Sequence, residues 1–178
     1  MKASLVLGIL KILDASDGQI DTRIRLQKEA FLLAAQRLPY FNLLDFEYHH
    51  YGPYSRSLSD ALSFAVSTGL VEEVAHLAED NLGSPIRYSY NLLEDGRKFL
   101  EDGGEDDHVL RDFVEFMRFK PWRSLELAST VRFLQLREGW NDYAAAFEEA
   151  LRLKPATASY ASQAQEVISK MESFSQAR

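Results

Sequence analysis

The sequence predicts a mainly α (α+β) protein, with an N-terminal winged helix-turn-helix unit followed by a C-terminal helical extension. Three observations carry this expectation. Apolar residues recur at helical spacing in the first 37 residues, two strand-like segments joined by a polar turn follow a third helix, and proline-punctuated helical segments fill the rest. The expected division is a winged-helix domain over residues 1–102 and a helical region over 107–178.

Each element has its own justification. In residues 3–15, Leu5, Val6, Ile9, Leu10 and Leu13 form one helical stripe, and Asp17-Gly18 stops it. Thr22 caps a second helix to about Arg37, with Ile24, Lys28, Phe31, Ala35 and Leu38 on one face and Pro39 closing it. The aromatic segment 45–51 predicts a short strand, and Gly52-Pro53 turns the chain. A third helix starts at Ser55 or Ser57, buries Leu58, Leu62, Ala65 and Val66, and ends at Gly69. Residues 70–77 and 86–92 read as strands. Ile86, Tyr88 and Tyr90 alternate with Arg87, Ser89 and Asn91. The acidic turn between the strands, with Glu79, Asp80, Asn81 and Gly83, makes the hairpin a wing. A short helix over 93–100, a hinge over 102–107 and four helices near 108–119, 124–138, 141–153 and 157–174 complete the reading.

Composition narrows the function classes. Hydrophobic residues make up 46% of the 178, enough for a sizeable core, and no apolar run reaches the roughly 20 residues that span a bilayer. Lys11 and Asp14 break the opening apolar segment, and no small-residue cleavage site follows, so it reads as an amphipathic helix and not a leader. The absence of cysteine removes disulfides, thiolate metal sites and cysteine nucleophiles, and fits a cytoplasmic location. Net charge is −7, from 27 acidic and 20 basic residues. Affinity for phosphate backbones comes mainly from Lys and Arg, and neither half of this chain is basic.

Groups that invite a chemical role have simpler explanations. His49 and His50 are neighbours on an expected strand, so they point to opposite faces and cannot share an ion; His76 and His108 stand alone. Asp45 and Glu47 share a strand face without an evident pocket to raise either pKa. Asp106, Asp107 and His108 precede a helix, where acidic side chains cap it. The chain has no Gly-x-Ser-x-Gly turn and no phosphate-binding glycine loop, nor an Arg-x4-His pair. The expectation is a non-enzymatic protein without metal or cofactor.

Several strings resemble the YwgA-type proteins of bacteria and archaea. They are Leu26-Gln27-Lys28 with Phe31-Leu32-Leu33, then Tyr48-x-x-Tyr51-Gly52-Pro53-Tyr54-Ser55 with Leu58-Ser59. Gly69-Leu70-Val71-Glu72 and Leu125-Glu126-Leu127-Ala128-Ser129-Thr130 fit as well, so the resemblance spans most of the chain. It sharpens the expected fold and leaves the activity open. Over about residues 20–75 the Leu-Gln-Lys helix and Tyr-Gly-Pro turn are also similar to the Panacea domain of SocA-like antitoxins. That similarity implies neutralisation of, or adaptation to, a protein partner.

Two partner classes stay open at this point. In a DNA-binding regulator, Ser55, Arg56 and Ser59 at the start of the third helix contact the target with Tyr54 as anchor. Arg23, Arg25, Lys28 and Arg87 then meet phosphates. Against this stand Asp60 one turn after Arg56, and Glu72, Glu73, Glu79 and Asp80 around Arg87. In an antitoxin or adaptor, the same acidic face suits a basic protein partner. The apolar C-terminal helices, with Phe113, Phe116, Trp122, Val131, Phe133, Leu134, Trp140 and Phe147, either form a homodimer or wrap the first unit in one core.

Overall fold

The computed structural model describes residues 2–76, 87–103 and 107–176. Within these residues the chain is mainly helical, with two small antiparallel sheets. The expected acidic turn at 79–83 and residue Ile86 lie outside the described residues, as do residues 104–106 of the expected hinge at 102–107, whose first two residues belong to a helix.

Helix α1 (Lys2–Ala15) buries Leu5, Val6, Ile9, Leu10, Ile12 and Leu13, more than one stripe, because helices pack on several sides of it. It ends on Asp17 and Gly18, both in the left-handed region, where Asp is better tolerated than most residues and glycine carries no penalty. Strand β1 (Gln19–Ile20) follows and pairs with a strand far along the chain. Two residues give no periodicity to read, so the sequence did not suggest it. Helix α2 (Arg23–Ala35) starts on Thr22, whose hydroxyl accepts from the Arg25 amide at 3.0 Å.

The aromatic segment is a hairpin and not one strand. Strand β2 (Glu47–His49) folds back onto β3 (Gly52–Tyr54), with Tyr48 opposite Pro53. The reason lies in Gly52 (φ +82°), which lets the chain reverse. Ser55 caps α3 (Arg56–Ser67), its hydroxyl accepting from the Leu58 amide at 3.2 Å. Strands β4 (Val71–His76) and β5 (Arg87–Leu92) pair from Val71↔Leu92 to His76↔Arg87, and β5 is the middle strand of the sheet β1-β5-β4. Its central place explains why the expected alternation blurs: Ser89, Tyr90 and Leu92 are all buried.

Helices α4 (Glu94–Gly103), α5 (His108–Arg118), α6 (Trp122–Arg137), α7 (Tyr143–Leu153) and α8 (Ala161–Gln176) complete the chain. Helix α6 is the inner one of this group, buried from Ser124 to Val131. It packs on α2, α7 and α8, while α5 packs on α1. The buried apolar side chains form one continuous cluster from Leu5 to Met171. No helix among the described residues is long and apolar enough to cross a membrane.

Candidate functional site

Three of the strings that carry the family resemblance, at 26–33, 48–59 and 125–130, lie far apart in sequence and meet at one place, beneath the β2–β3 hairpin. Gln27, fully inside α2, accepts from the Ser55 amide and donates to the Ser55 carbonyl, both at 2.8 Å; it also donates to the Ser59 hydroxyl at 3.0 Å. One side-chain amide therefore imitates a β-ladder partner for the residue that caps α3. An interior position demands such pairing, because an unpaired buried polar group costs roughly 1–3 kcal/mol.

Lys28, 2% exposed, donates to the Pro53 carbonyl at 2.8 Å. Lys154, which follows α7, holds the His50 carbonyl on the other limb of the hairpin. Both ammonium groups are served by Glu126 of α6: it lies 3.5 Å from Lys154 and raises the charge preference of Lys28. Arg123 reaches the same carboxylate at 3.4 Å. Burial nevertheless lowers the Lys28 pKa to about 7, assisted by the like charge of Lys154. Burial likewise raises the Tyr48 hydroxyl, with the Glu126 charge adding to it. Gly52 completes the seat, since a Cβ there would come within 3.1 Å of Thr130 Oγ1. Two lysines thus pin the two limbs of the hairpin, and Gln27 pins its exit into α3.

What this core supports is a surface. Arg56, Asp60, Ser63, Phe64 and Ser67 share the outer side of α3, all exposed, and Phe64 stands 51% open to solvent. The hairpin that leads into α3 exposes His49, His50 and Tyr51, the last at 54%. Tyr54 is half-buried, its ring 5.2 Å from that of His49.

The eight residues singled out by sequence divide sharply here. Ser55 and Ser59 are buried against Gln27, and Lys28 is buried under the hairpin, so none of the three faces outward. Arg25 donates to the Met117 and Lys120 carbonyls at 2.5 and 3.0 Å and to Glu29 at 2.8 Å, capping the end of α5. Arg23 bonds Glu73 and the Tyr90 hydroxyl, each at 3.1 Å, and Tyr90 donates to Glu73 at 2.6 Å. Burial lowers the Arg23 pKa, but Tyr90 and Glu73 outweigh it and hold the guanidinium above its usual value. Burial and Glu73 push the Tyr90 phenol up to about 12. Arg56, Arg87 and half of Tyr54 remain at the surface. Sequence reasoning missed Gln27, Glu126 and Lys154, because polar residues in a helix pattern give no sign of which interior they enter. Phe64 had a signal: it lies off the buried face formed by Leu58, Leu62 and Ala65.

The chain is similar to the protein named Uncharacterized protein YwgA of Bacillus subtilis (strain 168), with 29% identity over 125 residues. The matched stretch is 70% of this chain and 71% of that protein, and it supports the YwgA-type resemblance read from the motifs. No family model matches the chain.

Proposed function

We propose that this YwgA-type chain is a non-enzymatic binding module of winged helix-turn-helix type whose partner is a basic protein surface. The winged-helix reading is supported by element order and by the sheet order β1-β5-β4, in which the strand after α1 pairs with the second strand of the hairpin. The outer stripe of α3 and the adjoining β2–β3 turn form the contact face. One observation carries the choice of partner. Of the four basic residues expected to meet phosphate, three serve other groups of this chain, and the exposed stripe of α3 holds Phe64 with Asp60 beside the single cation Arg56.

A duplex needs several uncommitted cations, because each neutralised phosphate contributes through counterion release. A basic protein segment instead gains from the net charge of −7, from exposed Asp60 on the stripe and from exposed Glu47 on β2. Phe64 and Tyr51 provide the aromatic anchors that dominate protein interfaces. Exposed Arg56 and Arg87 favour DNA as the second reading.

The test offers the purified chain an array of basic peptides and, separately, mixed-sequence duplex DNA over a salt titration. The expected result is salt-sensitive peptide binding that Phe64→Ser weakens by about tenfold or more, with no retention of duplex. Duplex binding that falls steeply with salt and is lost in Arg56→Ala would replace this reading with the DNA one.

A further inference from the structure

We infer that a cavity of about 270 Å3 at the junction of α1, β1, α2 and α5 binds a small zwitterion of the α-amino-acid class. It is lined by Ser16, Asp17, Gln19, Asp21, Arg25 and Arg118, with Ile20 as its apolar wall. Its size suits a metabolite and lies just below the usual range of drug-sized pockets.

The charge pattern chooses the ligand class. Two guanidinium groups and two carboxylates line one small space. A simple anion placed there faces Asp17 and Asp21, and a simple cation faces Arg25 and Arg118. A molecule carrying one charge of each sign meets both pairs. Arg118 is paired with Asp17, and Arg25 uses three of its five N–H donors on Glu29, Met117 and Lys120, so both retain donors for a carboxylate. Asp21 has no hydrogen bond or ion pair among the described residues and stands as the acceptor for an ammonium group.

A second observation points to the same place. Ser16 is 6% exposed, and its hydroxyl is a buried polar atom without a hydrogen-bond partner. Buried hydroxyls are ordinarily satisfied, so an orphan in the wall of a cavity marks a group that a ligand can complete. The cavity touches β1, the strand joined to the β4–β5 sheet, and the end of α5 that Arg25 caps. Occupancy would therefore brace the N-terminal sheet against the C-terminal helices. This site is separate from the α3 surface, and neither depends on the other.

The experiment is a thermal-shift and calorimetric screen of the full chain against the twenty proteinogenic amino acids. The binders are then repeated as their N-acetyl and carboxamide derivatives. The expected result is that at least one amino acid binds and raises the melting temperature. Masking either charged end should abolish binding, and Asp21→Asn and Arg118→Gln should each weaken it by about tenfold or more. Melting curves without ligand show that both variants fold. The proposal is overturned if no amino acid binds, if either masked derivative binds as tightly as its parent, or if both folded variants bind as the wild type does.

Discussion

Helices α2 and α3 both pack on α1 and break the ordinary hydrophobic pattern in opposite directions. Helix α2 buries Gln27, Lys28 and Glu29 in succession, while α3 leaves Phe64 in the open. Buried polar groups and exposed apolar ones are the informative exceptions to the hydrophobic rule. Here the two exceptions have different causes. The polar groups of α2 bond inside the chain, Ser55 serving Gln27, Pro53 serving Lys28 and Arg25 serving one oxygen of Glu29, whose second oxygen is buried with no hydrogen-bond partner among the described residues. Phe64 stands 51% exposed on α3, where the proposed partner would cover it.

The sharpest way to break the α2 side is to remove its central counter-charge. Glu126→Ala leaves Lys28 and Lys154 buried close to each other without a carboxylate. Urea denaturation should show a loss of about 3–5 kcal/mol, the cost of stranding buried charge. A loss below about 1 kcal/mol would mean that water already serves these lysines. Next in size comes Gln27→Ala, which orphans the Ser55 amide and carbonyl and opens a small gap. A destabilisation of about 2–4 kcal/mol is expected from urea denaturation.

The pH dependence sharpens the comparison further, because neighbours on α2 act in opposite senses. Burial raises Glu29 to about 7, against the pull of Arg25, so the folded state holds its proton longer than the unfolded chain does. Its contribution is complete below the ordinary value of 4.5 and is lost as pH rises through about 7. Lys28, lowered from 10.5 to about 7, contributes fully above its unfolded value and loses that contribution as pH falls through about 7. Together the two groups predict a dip in stability near neutrality. Denaturation midpoints across this range should show Glu29→Gln flattening the acid limb and Lys28→Met the alkaline limb. Parallel profiles for wild type and both variants would contradict the assignment.

Much of this was legible in the sequence, and the parts that were not share a cause. The helices, the Thr22 and Ser55 caps and the β4–β5 pairing follow from local periodicity and turn chemistry. Lys28 could be placed on the same helical face as Phe31, which foretells burial, yet read as a phosphate contact because its charge suggested the surface. Its partners decide the matter, and Pro53, Glu126 and Lys154 are too distant in sequence for any pattern to link them. β1 escaped because a two-residue strand is defined by Tyr90 and Asn91 opposite it and not by its own residues. The hairpin at Gly52 was half visible: a turn was expected at Gly52-Pro53, but it falls at His50 and Tyr51, and Gly52 and Pro53 belong to β3, whose setting depends on Lys28, Lys154 and the close approach of Thr130.

The smallest expected effect on stability belongs to the residue with the largest expected effect on binding. The most direct test of the account therefore measures both for Phe64→Ser, by urea denaturation and by titration with the basic peptides bound by the wild type. The expected result is a stability within about 0.5 kcal/mol of wild type, as for ordinary exposed positions, together with binding weakened by about tenfold or more. A variant that loses stability but keeps its affinity would show that Phe64 is part of the core and that α3 does not face a partner.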